Sequence, residues 1–468
     1  MNKESAILRF FKSICRFNFG NFETQEFKKF LKLGAIFALM IGIYWTLRPL
    51  KDAVFIHLVG GLQIPFAKTI SVLGLLPLVI FYTKLLEKNS KEKMLVILPL
   101  AYSITIFIFS IFLYKFWGSS SEIAGRSAIF LISTKVFGYL FYLFVESFGS
   151  LVIALFWAFA TDTTVPESAK RGFPLVVTLG QMGGVVLPYT IGGLPHRLGL
   201  TSDTLSLLIL GVLTFLIIPL FGYFLKSTPK ALLTTFQGKT EAVKDSKHEA
   251  GFLEGLKLLL KNRYLLGIFA VNFVFEVVVT IFDFNFKLAA SSVYSGVVLS
   301  NYLSIYASSL NTVSLCFLLL GISNITRYLG VGVALAAMPI IVGFALFGFL
   351  SLNSLNFLFA LMVGAKAINY ALNGPALKQL YIPTTKDVKF KAQAWVETFG
   401  SRTSKQAGSV FNMSLSPLQT AFGTLAGKSH YLALSGAICF PLLGVWLLIT
   451  LFLGKSFRKA INTNTVIC

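Results

Sequence analysis

"FGYLFYLFVESFGSLVIALFW", residues 137–157, is a 21-residue apolar run carrying one charged side chain, Glu146. It is too long for a strand, and it lacks the turn punctuation of a membrane barrel. About 20 apolar residues span a bilayer as a helix, where every backbone polar group is satisfied within the segment. The stretch therefore predicts a transmembrane helix. It also poses a chemical question, because a carboxylate at such a depth costs about 2.5–3.5 kcal/mol on insertion scales and is usually functional.

Similar runs recur along the chain, near 33–47, 65–83, 94–114, 128–160, 173–193, 205–225, 264–282, 297–320, 328–350, 355–374, 408–426 and 430–454. About twelve spans are expected. The composition agrees, with 55% hydrophobic and only 13% charged residues in 468. A soluble protein this apolar would expose large aggregating patches. The net charge of +22 would suggest nucleic acid on a soluble protein. Here the cations sit in short connectors, so topology accounts for them and no nucleic-acid partner is expected.

Strongly basic connectors alternate with weakly basic ones. Lys84/Lys88/Lys91/Lys93, Lys170/Arg171, the stretch from Lys226 to Arg263, Arg327 and Lys386/Lys389/Lys391 form the basic set, joined by both termini. Lys51, Lys115, Arg126, Arg197, Lys287 and Lys428 form the sparse set. This alternation predicts an even span count with both termini cytoplasmic. The long connector 226–263 divides the chain into a cytoplasmic segment 1–32, a six-helix half 33–225, a basic linker 226–263, a second half 264–454 and a tail 455–468. The expected fold is an all-α polytopic membrane protein in a major-facilitator-like six-plus-six arrangement. No removable signal peptide is expected.

The polar residues inside the runs fall in stripes. Tyr139 and Tyr142 precede Glu146 on the same helical face. In "GIFAVNFVFEVVVTIFDF" (267–284), Glu276 is flanked on one face by Asn272, Thr280 and Asp283. In "LMVGAKAINYALNGPALKQLYIP" (361–383), Lys366, Asn369 and Asn373 form a third stripe, followed by Gly374-Pro375 and Lys378. The end of the first run, "YWTLRPLKDAVF" (44–55), places Arg48, Lys51 and Asp52 around a proline. Each stripe taken singly also fits a carboxylate–lysine pair holding two helices together. Their recurrence on spans 1, 4, 7 and 10, the first helices of three-helix repeats, favours a shared binding role. Arg48, Lys51, Lys366 and Lys378 suit a polyanion, since Arg offers a phosphate-matching fork and Lys a point charge. Asp52 is expected to pair with a lysine.

These residues carry a resemblance. "LRPLKDAV" (47–54), "ESFGSLVIALFWAFATDTTVPESAKRGFPL" (146–175) and "LYIPTTKDVKFKAQ" (380–393) resemble motifs of the nucleotide transporter family of plastids and obligate intracellular bacteria, the ATP/ADP translocases. "FGSRTSKQAGS" (399–409) loosely matches the entry to span 11. The likeness runs from Glu26 to about Lys455. It implies ATP/ADP exchange by alternating access, with Lys51, Glu146, Glu276 and Lys378 essential to transport. Lys378 stands three residues after Pro375 where the family has its lysine two after the proline, so Lys366 competes for the role. Tyr139 or Tyr142 is expected to stack on the base. The alternatives are proton-coupled nucleotide uptake, or a permease for another anionic solute.

Other classes have little support. "GTLAGKS" (423–429) lacks one residue of the P-loop spacing and lies between two apolar runs, which argues against an ATP-hydrolysing pump. Nothing resembles a repeated pore loop. The histidines His57, His196, His248 and His430 are scattered, as are Cys15, Cys316, Cys439 and Cys468, so no metal, disulfide or cofactor is expected. The expectation is a non-enzymatic, monomeric carrier in a bacterial inner membrane, with a nucleotide and the lipid bilayer as its partners.

Overall fold

A computed structural model describes residues 22–117, 127–229, 232–233, 252–320, 328–352, 354–385, 388 and 392–467. Much of the basic linker, Lys170's side chain, Arg126, Arg327, Lys386, Lys389, Lys391, His248, Cys15 and Cys468 lie outside the described residues.

Among the described residues the ordered elements are helices. They are α1 (Thr24–Leu58), α2 (Ile64–Lys88), α3 (Lys91–Phe116), α4 (Ala128–Asp162), α5 (Pro166–Leu187) and α6 (Thr204–Ser227). The series continues with α7 (Arg263–Val293), α8 (Gly296–Leu319), α9 (Val331–Ser351), α10 (Leu355–Ile368), α11 (Ser401–Asn412) and α12 (Thr424–Thr463). Eleven helical stretches among them are long and apolar enough to cross a membrane.

The eleventh run departs from a plain apolar span. A π-turn at Val396–Gly400 leads into α11, and a further short helix, Leu415–Phe422, follows it. The polar sequence of α11, SRTSKQAGSVFN, explains the difference: its length and hydropathy fall short of a free-standing span. α10 is likewise interrupted. A π-turn at Asn369–Asn373 interrupts it, after which Gly374 and Pro375 open the helix Gly374–Gln379. Pro lacks an N–H and is accommodated in a first helical turn, which shifts the disruption upstream. In the P-loop-like "GTLAGKS", Gly423 is the turn residue and Thr424–Ser429 are the first turns of α12. Gly423 adopts φ +83°, and Gly427 lies against the backbone of Leu418 and Gln419.

The contacts divide the chain into two units. One comprises residues 1–59, 73–240 and 294–315, and the other 60–72, 241–293 and 316–468. Residues 60–72 thus group with the second unit and 294–315 with the first.

In the first unit α1 packs most extensively on α5. A Cβ on Gly183 would lie 1.9 Å from the Ala38 carbonyl oxygen, so only glycine permits this approach. Phenylalanines fill the core around α1 and α4, with Phe37 and Phe156 stacked at 4.7 Å. Lys29, read from sequence as a topological charge, is buried. Its ammonium donates to the carbonyls of Thr163 (2.5 Å) and Leu232 (2.9 Å), holding α1 against the end of α4. A cation there also complements the helix C-terminus.

Residues 294–315, which include most of α8, join this unit through polar contacts. Ser308 Oγ donates to the Val185 carbonyl at 2.7 Å. Ser300 Oγ donates to Asp203, a fully buried carboxylate preceding α6. Burial pushes Asp203 up to about 7, and the Ser300 hydroxyl draws it partway back. With an unfolded value near 3.8, the native state alone holds the proton between these limits. Stability therefore falls as pH rises from about 4 to 7 and levels off above. Asp203→Asn is expected to flatten this part of a melting-temperature profile while leaving the fold intact. An unchanged slope between pH 5 and 7 would show that Asp203 does not set it.

In the second unit α7 lies against α11 and α12. A buried polar chain links the three: Tyr431 donates to Asn412 Oδ1 (2.6 Å), and Asn412 Nδ2 donates to the Thr280 carbonyl (3.2 Å). Asn285 Nδ2 reaches the Tyr431 hydroxyl at 3.4 Å. Buried amides and hydroxyls require such partners in a medium that offers no water.

Candidate functional site

Each unit gathers its own charged cluster. In the first, the end of α1 presents Arg48, Lys51, Asp52 and Phe55, spaced three and four residues apart, to α4. α4 answers with Tyr139, Tyr142 and Glu146 on one face. α1 continues as helix through Pro49, so the stripe is not broken there.

Lys51 is 2% exposed, and its surroundings explain how it is tolerated. Its ammonium donates to Asp52 Oδ1 at 2.9 Å and lies 3.2 Å from Glu146 Oε1. It sits 3.8 Å from the centre of the Tyr142 ring. Two carboxylates and an aromatic face thus replace its water shell. Glu146 is the open member, its side chain 36% exposed. The Arg48 guanidinium lies over Trp45, 5.2 Å from the ring centre. Tyr142 is fully buried with Lys51 on its face, and Tyr139 and Tyr142 meet Phe55 edge-on at 5.2 and 5.4 Å. In this arrangement the Tyr142 ring seats the lysine, and its other edge is packed.

If the ring face matters, Tyr142→Phe will keep substrate uptake near that of the unaltered protein. Tyr142→Leu is expected to lower it about 2- to 30-fold, the equivalent of roughly 0.5–2 kcal/mol of cation–π attraction. Equal uptake by both variants would remove the ring from the account.

The second unit places its candidates in two groups along α7. Glu276 Oε1 accepts from Ser401 Oγ at 3.2 Å and lies 3.6 Å from Lys405, one turn further along α11. Beside it, Asn272, Lys378, Glu397 and Ser401 help line a cleft of about 260 Å³. Lys378 is exposed there.

Two turns along α7, Asp283 binds Lys366 through Oδ1 at 2.6 Å and Lys287 through Oδ2 at 2.5 Å. Lys68, from the first turns of α2, lies 3.5 Å from Oδ2. Asp283, Lys287 and Lys366 are 8–9% exposed. Three ammonium groups thus converge on one carboxylate. Asn373 and Asn369 bond each other across the π-turn at 2.8 Å. π-turns of this kind occur often at functional sites.

The structure therefore separates Lys366 from Lys378: the first belongs to the Asp283 cluster, the second to the Glu276 cleft. It also adds Lys287 and Lys68, which the sequence reading does not place among the site residues. Lys287 sits with the connector charges in that reading, although its four-residue spacing from Asp283 is a legible helical pair. Lys68 stands in a run that reads as apolar, and no local pattern points from it to Asp283.

The model of the TLC ATP/ADP transporter family matches residues 8–457. "ADP,ATP carrier protein 1" of Rickettsia typhi is 24% identical over 485 residues, covering 94% of this chain and 96% of its own. "ADP,ATP carrier protein 4" of Rickettsia felis is also 24% identical, over 94% of this chain and 93% of the relative. Among solved structures, the nucleoside transporter NupG superposes with TM-score 0.59 at 14% identity, covering 92% of this chain and 99% of that one. A bacterial homologue of the iron transporter ferroportin gives 0.60 at 11%, over 94% and 99%. These likenesses establish the major-facilitator-like fold.

Proposed function

The chain belongs to the TLC ATP/ADP transporter family, and from that membership we propose that it exchanges ATP for ADP across a bacterial inner membrane by alternating access. The observation that carries the substrate reading is the convergence of Lys68, Lys287 and Lys366 on Asp283. Clustered ammonium groups match a polyphosphate, which offers several charges at the spacing of neighbouring lysines. Asp283 holds the lysines together until phosphate oxygens take its place.

Lys51 is the corresponding cation of the first unit, with Glu146 as the carboxylate that releases it. Arg48 adds a second cation at the same helix end. Glu276 and Lys378 act at the neighbouring cleft, with Asn369 and Asn373 shaping the interrupted helix between the two groups. Tyr139, less buried than Tyr142, is the better placed of the two to meet a base. Substrate arrival then trades internal ion pairs for phosphate contacts, and departure restores them. A carrier that resets only by making such trades favours exchange over net flow.

The transport halves are 33–225 and 264–454, joined by the basic linker, with both termini cytoplasmic and the protein a monomer. Uptake of labelled ATP into intact bacterial cells expressing the chain tests the reading. Uptake should be competed by ADP, should accelerate efflux of preloaded nucleotide, and should respond to membrane potential, because ATP and ADP differ by one charge. Efflux equally fast without external nucleotide would overturn exchange. Dependence of uptake on an imposed proton gradient at zero membrane potential would point to proton-coupled import instead.

A further inference from the structure

We infer that the second unit binds an anionic glycerophospholipid in the cleft between α9 and α12. The cleft has a volume of about 640 Å³, within the usual range of ligand sites of about 300–1,000 Å³. It arises from sequence. Gly332 on α9 and Gly454 on α12 touch backbone to backbone, and a Cβ on Gly454 would lie 2.6 Å from Gly332 Cα. The helices are pinned at that crossing. Beyond it α9 presents only the small Ala336 and Ala337 before Ile340, which leaves a channel where larger side chains would have filled the gap. Its walls are apolar: Val333, Ile340 and Leu451 are 47%, 47% and 46% exposed.

The polar end is of one sign. Lys455, Arg458 and Lys459, three and four residues apart, line the cleft from the last turns of α12. All three are exposed and, among the described residues, form no ion pair. A second cleft of about 410 Å³ shares Lys459 and adds Lys261 and Arg263. Neither cleft has an acidic residue in its lining. A phosphodiester fits the arginine fork with lysines beside it, and an acyl chain fits the apolar channel. Basic pockets between transmembrane helices bind phospholipid headgroups for this reason. A free phosphate would use only the cationic end and leave the channel unexplained. The helices concerned are bilayer-spanning by length and composition, so the occupant with both chemistries is a lipid. The site shares no residue with the charged clusters and does not rest on the nucleotide reading.

Native mass spectrometry of the purified full chain tests it, with phosphatidylglycerol and phosphatidylcholine offered in equal amounts. Phosphatidylglycerol should be retained at least tenfold over phosphatidylcholine. That preference should be lost in Lys455→Gln/Arg458→Gln/Lys459→Gln. It should also be lost in Ala336→Phe, which fills the channel and leaves the cations in place. Should Ala336→Phe fail to fold, Val333→Trp at the exposed rim serves the same purpose. Equal retention of the two lipids overturns the proposal. So does a channel-filling variant that binds normally, which would reduce the site to surface charge. Displacement of the lipid by inorganic pyrophosphate overturns it in favour of a soluble-anion site.

Discussion

Lys51→Ala is expected to lower ATP uptake into proteoliposomes by roughly a hundredfold or more. Loss of a charge-assisted contact worth about 3 kcal/mol corresponds to that factor. The same change should destabilise the protein. Asp52 is 2% exposed with Lys51 at 2.9 Å, and removing one member of a buried pair costs about 3–5 kcal/mol. Two consequences of one substitution can be separated. Lys51→Met/Asp52→Asn removes both charges, so it should recover melting temperature without recovering uptake. Uptake restored along with stability would mean that the lysine serves only the fold, and wild-type uptake by Lys51→Ala would remove it from the site.

Asp283→Asn should have the second large effect. Three lysine ammoniums, at 2.5, 2.6 and 3.5 Å, share its carboxylate. With a neutral amide in its place they repel one another at short range, in a region where little water screens them. A loss of about 3–5 kcal/mol is expected, by comparison with other broken buried pairs. The substitution should also make stability depend more strongly on ligand. Excess ATP raises the melting temperature of any binding protein, by about 2.7 kcal/mol at a hundred times Kd. In Asp283→Asn the phosphates meet lysines with no competing carboxylate, so the ATP-induced rise should exceed that of the unaltered protein. A variant that melts normally would show that the carboxylate does not hold the lysines, and one that melts early but that ATP does not stabilise would show that the cluster is only structural.

Much of the first cluster is legible in the amino-acid order. The spacing of Arg48, Lys51 and Asp52 on one helix, and of Tyr139, Tyr142 and Glu146 on another, is a local property of a 3.6-residue repeat. The role of Tyr142 is not legible there. Whether an aromatic ring meets a base or a lysine depends on how α1 and α4 rotate against each other, which no spacing within either helix encodes. Lys29 shows the same limit. In sequence it is one of three lysines close together near the N-terminus, and only the fold brings the end of α4 to it.

The second cluster divides differently. Asp283 and Lys287 are a readable i,i+4 pair, yet Lys287 looks like a connector charge because α7 runs further than its apolar stretch. Lys366 lies 83 residues from Asp283, and their pairing belongs to the packing of α7 and α10. Lys68 has only uncharged polar neighbours, Gln63, Thr69 and Ser71, and none of them points to Asp283.

Sequence alone therefore determined that this protein is a bundle of membrane-spanning helices, where most of their apolar cores lie, and which helical faces carry charge. Those properties follow from the length of apolar runs and from short-range periodicity, and a bilayer enforces both. Tertiary structure decided which cation meets which carboxylate, that Lys366 and Lys378 serve different places, and that π-turns interrupt α10 and lead into α11. Those outcomes depend on close approach and rotation between helices distant in the chain. In a medium without water, each buried charge must find its partner there.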